Sequence, residues 1–590
     1  MKKQLSRYAL AGGLAAAIAF TMALAGCSAA TQAQSQATSE TEAVAVDNGA
    51  FDYAENPSEE GTKNTKSKYP AKYDLRDEGV VTSVKSQSPW GTCWAFASIA
   101  AAEISINSEL KAQNPSTYTP VDLSEHHLAW FAKTHNALEG EEGYEEGDTQ
   151  SGEGSYVADG VQQMNGGQHY VSTNTFASGI GPVDENQNAG MEYAGKNKTV
   201  SDDGWNYSED DDWSLPYEDR HVASYDLYES FLLPSTYDSD GNYVQASTDA
   251  IKDQLLAGRG VQITYYADTA DPAETDSEET SQFINTKTWA QYTYDASLGA
   301  NHGVCIVGWD DTYSKDNFLS KVNVLDEDGN PTGETKEVEQ PAGDGAWIVK
   351  NSWGAASSTF PDEYDWGNDG YFYLSYYDKT MACAEALDFY VNDFWTDQDQ
   401  YLIDQYDTME AAGVCNFSTE DPTYMANLFP VTTDCTLKSI SAYTSKPGTT
   451  VRWWVMVLND DETLDNGSVV AQGTESYPLG GFHHIDMTED IQLEDGQRYA
   501  ICESLNFDTE DGTEYALTPP YGFNEKSNPE KYSKAVVNEG ESFVGEEEAD
   551  GHVVWTDFTK VKDSIIENED DPETIELDNL PIKGYLELAS

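Results

Sequence analysis

The chain has 590 residues, which is too long for a single hydrophobic core, so we expect at least two domains. Its composition is 39% hydrophobic and 12% aromatic, which supplies enough apolar surface to offset the entropy of ordering most of the chain. Aspartate and glutamate number 105 against 32 lysines and arginines, for a formal net charge of −73. So acidic a chain lacks the clustered cations that nucleic acid or an anionic membrane surface requires, and we exclude a nucleic-acid partner.

The N-terminus has the features of an export signal. Lys2, Lys3 and Arg7 precede an apolar, alanine-rich run over residues 8–24. The run ends in the tetrapeptide Leu24-Ala25-Gly26-Cys27. This tetrapeptide resembles a bacterial lipobox, whose cysteine is lipidated and becomes the new N-terminus. Residues 1–27 are therefore predicted to be a lipoprotein signal peptide, and the mature protein is expected outside the cytoplasm, anchored by lipid to the membrane at the cell surface. An ordinary secretory signal or an uncleaved single span is the alternative, although the run is short for a span.

The next segment and the cysteine pattern predict few covalent constraints. Residues 28–68 are rich in small and polar side chains, a composition typical of a flexible tether. The chain has 7 cysteines, and no pair has the CxxC spacing of a metal site. We expect one or two disulfides at most. Two Asp-rich loops, 238–241 and 326–329, lack the last acidic ligand of a calcium loop and are interpreted as turns. We predict no metal and no cofactor.

Residues 69–386 combine helical and strand-like patterns. An alanine-rich run at 94–110 predicts a helix early in this region. Three later apolar runs predict strands, at residues 303–308, 347–350 and 371–376. The fold class is therefore α+β, with the helical part first and the sheet part second. Three acidic stretches rich in Gly, Asp or Ser are interpreted as surface insertions, at residues 140–154, 201–240 and 310–345.

Residues 387–590 have the pattern of an all-β sandwich. Short apolar runs alternate with turn residues such as Asn-Asp and Glu-Asp-Gly at close spacing. The predicted strands are residues 436–444, 450–458, 480–487, 498–504 and 582–588. His483 and His484 are neighbours in one of these strands, so their side chains point to opposite faces and a joint metal site is not expected.

The strongest chemical signal is the block of residues 87–97, which contains Cys93. Pro89 and Gly91 form a loop that leads directly into the alanine-rich helix, so the thiol is predicted at a helix N-terminus. There the helix dipole and free N–H groups favour the thiolate, which is the nucleophilic form. An acyl-transfer transition state also needs donors for its oxyanion, and the side-chain amide of Gln87 and the N–H of Cys93 are candidates.

A base and its orienting group appear later in the chain. His302 opens an apolar strand that runs into Gly308. Asn351 ends another strand, where its carboxamide can hold the imidazole in one tautomer. Trp353 follows at once and is expected to shield that contact from water. Each residue alone is more often structural, but the ordered combination is far more specific.

Taken together, these features resemble those of the papain-like cysteine peptidases, and the resemblance covers residues 69–380. The motifs that carry the resemblance are Tyr73-Asp74-Leu75-Arg76-Asp77, the block 87–96, Asp122-Leu123-Ser124-Glu125, Asn301-His302-Gly303, Lys350-Asn351-Ser352-Trp353-Gly354, and Trp366-Gly367 with Gly370-Tyr371-Phe372. The resemblance implies a helical left lobe and a β right lobe with a cleft between them. It assigns catalytic roles to Cys93, His302, Asn351 and Gln87. Asn165-Gly166-Gly167 is similar to the segment that lines the substrate backbone in this family, so Gly166 and Gly167 are predicted to bind substrate. Trp353 is also predicted to bind substrate.

The chain also departs from the family pattern. Trp90 stands where the family often has a cysteine, so the usual left-lobe disulfide is expected to be absent. His302 and Asn351 lie farther from Cys93 in sequence than is usual, and the acidic insertions account for the difference. The segment before Tyr69 is short and polar for an inhibitory pro-segment.

The C-terminal region 387–590 resembles the lectin-like β domain often fused to bacterial peptidases of this kind. A surface glycan or a protein is the expected ligand of such a domain, although its strands present no recognisable sugar-binding constellation. We predict an exported, monomeric cysteine endopeptidase that hydrolyses polypeptides through a Cys-His-Asn triad and an acyl-enzyme. Two alternatives remain: a surface adhesin, and an exported aminopeptidase of the bleomycin-hydrolase type.

Overall fold

A computed structural model gives the fold of the chain. The structure describes residues 68–87, 91–132, 167, 169–185, 199–201, 204–206, 215, 219–268, 279–326, 329–355, 366–391, 400–409, 411, 413–459, 462–509, 512–523, 535–548, 551–566 and 574–589. The predicted signal peptide with Cys27, nearly all of the tether, the insertion at 140–154 and Gly166 lie outside these ranges. Within them, no helix combines the length and apolar character needed to cross a membrane.

Helices are concentrated in the first part of the chain. Those in the described ranges are α1 (Cys93–Gln113), α2 (Glu125–Phe131), α3 (His169–Ala177), α4 (Gln245–Leu256) and α5 (Lys562–Ile565). The first 15 residues of α1 are all buried, which explains its small residues on every side, because a helix inside a core needs no polar face. Ser124 caps α2 by accepting the N–H of His127. The helix predicted at 94–110 is thus confirmed as α1.

Strands make up most of the other regular secondary structure in the described ranges. In the first half they are β1 (Lys72–Asp74), β2 (Thr199–Ser201), β3 (Gly204–Asn206), β4 (Asp226–Leu232), β5 (Val261–Tyr265), β6 (Ile284–Asn285), β7 (Ala290–Gln291), β8 (His302–Asp310), β9 (Lys321–Leu325), β10 (Pro331–Glu337), β11 (Ala346–Lys350), β12 (Tyr371–Ser375) and β13 (Ala382–Tyr390). In the second half they are β14 (Tyr401–Asp404), β15 (Gly413–Val414), β16 (Phe417–Thr419), β17 (Thr423–Pro430), β18 (Cys435–Thr444), β19 (Thr449–Leu458), β20 (Ser468–Tyr477), β21 (Gly481–Leu493), β22 (Arg498–Thr509), β23 (Gly512–Leu517), β24 (Pro520–Phe523), β25 (Ser542–Glu547), β26 (Val553–Asp557), β27 (Ile575–Leu577) and β28 (Gly584–Leu588).

One continuous sheet joins the two regions. Its order is β14-β28-β18-β21-β4-β13-β5-β8-β11-β12-β7-β6, with β1 paired to β8. Eight of the nine residues of β8 are buried, which matches its uninterrupted apolar run. The helix α1 packs against β8 and β13. This arrangement brings the first residue of α1 and the first residue of β8 to the boundary between the helical and the β part.

The C-terminal region is a sandwich around its own core. A second sheet contains β16, β23, β22, β17, β25 and β26, with β19 and β20 added on β22. Apolar residues of β17, β19 and β22 meet those of β18, β21 and β28 in one buried cluster, so the second sheet packs on the C-terminal part of the continuous sheet. The predicted sandwich is confirmed.

The two regions meet at β4 and α3. His483 of β21 is the register partner of Glu229 in β4, and the imidazole Nδ1 is 3.1 Å from the carboxylate. The hydroxyl of Tyr585 donates to the carbonyl of Ala177 at the end of α3 (3.0 Å). The second region is therefore fixed both to the sheet and to a helix of the first.

Two expectations about boundaries need correction. The stretch 201–240 is not simply a surface insertion, because it contains β4, which pairs with β13 inside the continuous sheet. Acidic residues lie on both sides of β4 in the sequence, but Leu227 within this strand is buried. The expected boundary at 386/387 falls within β13, whose Leu387 and Phe389 are buried in the core of the first region. The stretch 310–345, in contrast, contains the hairpin β9–β10, and every residue of β10 is exposed.

Candidate active site

The thiol of Cys93 lies at the first residue of α1, as the sequence predicts. The carbonyl of Thr92 accepts the N–H groups of Ala95 (2.9 Å) and Phe96 (3.1 Å), so the chain turns into the helix immediately before the cysteine. Cys93 is 5% exposed. A helix of 21 residues directs the positive end of its dipole at this position, which stabilises a thiolate.

His302 and Asn351 form a hydrogen-bonded pair under an indole. The imidazole Nε2 is 2.7 Å from Asn351 Oδ1. The backbone N–H of Ser352 donates to the same Oδ1 (2.8 Å), so that atom must be the amide oxygen. His302 Nε2 therefore carries the hydrogen, and Nδ1 keeps the lone pair that a general base needs. The ring of Trp353 stacks on the imidazole with centroids 4.5 Å apart and shields the pair from water.

Gln87 is held in place by the segment that carries Asn351. Its backbone N–H donates to the carbonyl of Ser352 (2.8 Å), and its side-chain Oε1 accepts the Ser352 hydroxyl (2.6 Å). Because this contact uses the oxygen of the amide, the nitrogen remains the donating end. An amide nitrogen held in this way is suited to donate to a developing oxyanion.

Gly303 lets the strand approach the nucleophile helix. A Cβ at this position would lie 3.3 Å from Trp94 Cα and 3.4 Å from the carbonyl carbon and oxygen of Cys93. The start of β8 thus touches the first turn of α1, so His302 and Cys93 belong to chain segments that are in close contact. The sequence indicated Gly303 only as part of a motif, and this spacing role was missed.

Gly303→Ala is expected to lower kcat by at least about tenfold, because a displacement of a few tenths of an ångström moves the imidazole relative to the thiol. KM and the thermal melting curve should change little, since the added methyl group requires only a local shift. Steady-state kinetics on a peptide substrate and circular dichroism measure the two effects. An unchanged kcat would show that the close contact has no part in the site.

The predicted substrate segment is described only at Gly167. A Cβ there would come within 2.6 Å of the indole of Trp94, so only a glycine can approach this closely to the residue that follows Cys93. Gly166 is outside the described ranges. Trp94 itself is buried, and Gly167 is partly exposed.

A buried ion network lies behind the site. Lys85 Nζ is 2.8 Å from Asp122, 2.8 Å from Glu125 and 3.3 Å from Glu185. Lys350, the residue before Asn351, is 3.7 Å from Glu103 and donates to Thr82. Four carboxylates thus share two ammonium groups. Asp122, Glu125 and Lys350 belong to motifs that are visible in the sequence, but the network that joins them is visible only in the structure.

The surplus of carboxylates changes the ionisation of this network. Burial raises the pKa of Glu185 to about 9, and it raises that of Glu103 to about 7. Burial alone would lower the pKa of Lys85, but the carboxylates around it raise it well above the ordinary value. At neutral pH Glu185 is therefore protonated, and Lys85 remains charged.

Glu185→Gln is expected to make the free energy of unfolding less dependent on pH between pH 5 and 9. A carboxyl whose pKa is raised on folding contributes stability below its unfolded pKa of 4.5, and this contribution is lost as pH rises through about 9. Between pH 5 and 9 the free energy of unfolding should fall in both proteins, and the fall should be at least about 1 kcal/mol larger in the wild type than in the variant. This follows because each pKa unit corresponds to about 1.4 kcal/mol. Urea unfolding at several pH values measures this. Glu489→Gln, at an exposed position of β21, is the control and should keep the wild-type slope.

The cysteines in the described ranges are not cross-linked, and most are buried. The six cysteines in the described ranges are all thiols. Burial raises the pKa of Cys305 to about 12 and that of Cys435 to about 11, so neither forms a thiolate near neutral pH. Among the residues that the structure describes, no group of three His, Cys, Asp or Glu side chains could hold a metal ion.

The site has a thiol at a helix N-terminus and an imidazole that is held by a carboxamide on a strand in contact with that helix. Together with a helical and a β part, these features define the class of cysteine peptidases. Residues 69–390 match the sequence model of the papain family cysteine proteases, which is more than half of the chain. The chain belongs to this family. Residues 403–567 match the lectin-like domain. The resemblances drawn from the motifs are confirmed at the level of family and fold.

Solved structures and plant relatives agree with this assignment. The cysteine protease Cwp84 of Clostridium difficile, a surface layer associated protein solved with its cysteine protease and lectin-like domains, is 18% identical with a TM-score of 0.55, over 90% of this chain and 91% of that one. A second Cwp84 structure, after propeptide cleavage, has a TM-score of 0.56 at 18% identity, over 88% of this chain and 99% of that one. These likenesses establish the two-domain fold. Chymomexicain of Jacaratia mexicana is 39% identical over 101 residues, which are 17% of this chain and 38% of that protein.

Proposed function

We propose that the protein is an exported, lipid-anchored cysteine endopeptidase with Cys93 as nucleophile, His302 as base and Asn351 as the orienting group. One observation carries the proposal: the hydrogen bond of 2.7 Å between His302 Nε2 and Asn351 Oδ1, at a strand end that touches the first turn of the Cys93 helix. This bond fixes the tautomer in which Nδ1 can take the proton of a thiol.

The proposed reaction proceeds in two halves. The Cys93 sulfur attacks the carbonyl carbon of a peptide, while the imidazolium of His302 gives its proton to the leaving amine. The oxyanion accepts hydrogen bonds from the Gln87 side chain and the Cys93 N–H. Water, deprotonated by His302, then attacks the thioester, which releases the acid and regenerates the thiol. Asn351 stabilises the imidazolium, and Trp353 keeps water from their bond.

Cleavage-site mapping tests this function. The full chain without its signal peptide is incubated with a mixture of peptides blocked at both ends, with and without prior treatment by a thiol-alkylating reagent. An endopeptidase produces internal cleavages that alkylation abolishes. An aminopeptidase leaves blocked peptides intact, and an adhesin cleaves neither blocked nor free peptides; either result would reject the proposal.

The lipid anchor is tested separately at Cys27. In a bacterial host, Cys27→Ser is expected to move most of the protein from the membrane fraction to a soluble exported form, because a serine cannot carry a thioether-linked lipid. Immunoblots of fractionated cells measure this shift. A variant that stays in the membrane fraction as the wild type does would contradict lipidation at Cys27. The LAGC tetrapeptide and the apolar run before it support this part of the proposal.

A further inference from the structure

A row of buried polar side chains connects the nucleophile helix to the C-terminal region. Ser98 Oγ of α1 is 2.6 Å from Gln262 Oε1 of β5, and Gln262 Nε2 donates to Oε2 of Glu385 in β13 (2.8 Å). Glu385 also accepts the hydroxyl of Ser230 in β4, whose Oγ accepts the N–H of Phe482 in β21 (2.9 Å). Each of the four side chains is at most 1% exposed. We call this row, from Ser98 to Ser230, the polar path.

The carboxylate of Glu385 sets the direction of the hydrogen bonds in the polar path. Burial raises the pKa of this carboxyl to about 7, so it is ionised above that pH. Because a carboxylate only accepts, the amide nitrogen of Gln262 must face it, and the amide oxygen must face Ser98. The hydroxyl of Ser98 therefore donates to Gln262. Ser98 Oγ is also 2.8 Å from Ser172 Oγ in α3, whose hydroxyl can donate to it.

Neutral donors alone stabilise the charge of Glu385. Its hydrogen-bond partners are the amide of Gln262 and the hydroxyls of Thr173 and Ser230, and no cation is among these partners. A buried carboxylate costs folding free energy unless hydrogen bonds compensate it. The three donors compensate it only while they point at its oxygens, so the carboxylate holds the side chains around it in one orientation.

The polar path also ties the nucleophile helix to the strand beside the imidazole. Gln262 lies on β5, which pairs with β8, and Tyr265 of β5 is opposite His302 in this register. The bond from Ser98 to Gln262 therefore connects the helix that begins at Cys93 to the neighbour of the strand that begins at His302. Apolar contacts between a helix and a sheet are non-directional, whereas a hydrogen bond fixes both distance and angle.

We propose that Gln262 and Glu385 are positioning residues, which hold the nucleophile helix in the register with the sheet that the reaction of Cys93 with His302 requires. This inference rests on the proposed function. Both residues lie outside the motifs that carry the family resemblance. The bond from the N–H of Phe482 to Ser230 extends this support into the C-terminal region, so that region contributes to the geometry of the peptidase site.

An exchange of the two side chains tests the inference. Gln262→Glu alone places two carboxylates opposite each other in the register of β5 and β13, so kcat should fall by at least about tenfold while KM changes by less than about twofold. When Gln262→Glu is combined with Glu385→Gln, the new amide donates to the new carboxylate, and each group in the polar path has a partner again. The kcat of this double variant should return to within about threefold of wild type. Steady-state kinetics at pH 8 on an internally quenched peptide measure these changes, because Glu385 is ionised at that pH.

Two further variants separate positioning from folding. Ser98→Ala removes one hydroxyl from the polar path with little change in volume, so it should remain folded and still lower kcat by about fivefold at an unchanged KM. Asp404→Asn is the control, because Asp404 is a partly buried carboxyl of β14 that accepts the hydroxyl of Tyr499 (2.8 Å) and lies outside the polar path. Its kcat should equal that of the wild type. Thermal melting shows which variants are folded at the assay temperature.

The outcomes distinguish this inference from the proposed function. A wild-type kcat in Gln262→Glu or in Ser98→Ala, or a folded double variant whose kcat stays low, would overturn the inference and leave the proposed function intact. If the glutamate variants do not fold, the kcat of Ser98→Ala decides. A wild type that cleaves no peptide would reject the proposed function, and this inference with it.

Discussion

Replacement of Cys93 by alanine is expected to abolish peptide hydrolysis and to leave the fold intact. The proposed mechanism uses Cys93 as its nucleophile, so kcat/KM should fall by at least about 10⁴-fold, as in enzymes whose nucleophile is removed. The side chain lies at the rim of the core with 5% exposure, and its loss removes one sulfur atom from packing. Kinetics on an internally quenched peptide substrate and thermal melting measure both effects.

Cys383→Ala is the matched control for this experiment. Cys383 is an exposed thiol in β13, outside the residues that form the site. Its replacement should leave kcat/KM unchanged. If the Cys93 variant kept activity within an order of magnitude of wild type, the thiol would not be the nucleophile.

The second large effect is expected at Gln87. If its amide nitrogen donates to the oxyanion, Gln87→Ala should lower kcat by about 10²–10³-fold with little change in KM, because the interaction exists only in the transition state. Gln87→Glu should be as inactive as the alanine variant, since a carboxylate accepts hydrogen bonds but does not donate them. Steady-state kinetics on the same internally quenched peptide substrate measure these changes.

Ser352→Ala provides the control, because the alanine change at Gln87 also breaks the bond between its Oε1 and the Ser352 hydroxyl. The serine variant loses the same bond but keeps the amide donor, so its kcat should fall by no more than about tenfold. A loss as large as that of Gln87→Ala would mean that Gln87 acts through position rather than through its N–H.

The residues of the proposed site could be selected from sequence because each stands next to a strong local pattern. Cys93 begins an alanine-rich helix, and His302 and Asn351 stand at the ends of apolar runs. Residue type, order and local pattern are sufficient for such positions. The tautomer of His302 and the hydrogen-bond partners of Gln87 could be determined only from the structure. Gln87 and Ser352 are 265 positions apart, and no local sequence pattern indicates a hydrogen bond over such a separation.

Features set by distant packing could not be predicted in the same way. The strand β4 lies among acidic residues, and only its pairing with β13 and β21 shows that it belongs to the continuous sheet. The ion network around Lys85 joins five separate segments, and each charged residue alone is typical of a surface. The left-handed φ of Trp289 breaks the rule that reserves such positions for small residues, so no propensity would indicate it.

The central claim is that the helix N-terminus and the imidazole together activate one thiol, and the pH dependence of alkylation tests it most directly. The full chain is treated briefly with iodoacetamide from pH 5 to 9, and each cysteine is quantified by mass spectrometry in wild type and in His302→Ala. We predict that Cys93 of the wild type reacts rapidly at pH 6, well below the ordinary thiol pKa of about 8.5, and that the variant loses most of this rate. Cys305 and Cys435 should remain unlabelled in both. A Cys93 rate that rises only above pH 8, equally in wild type and variant, would contradict the account.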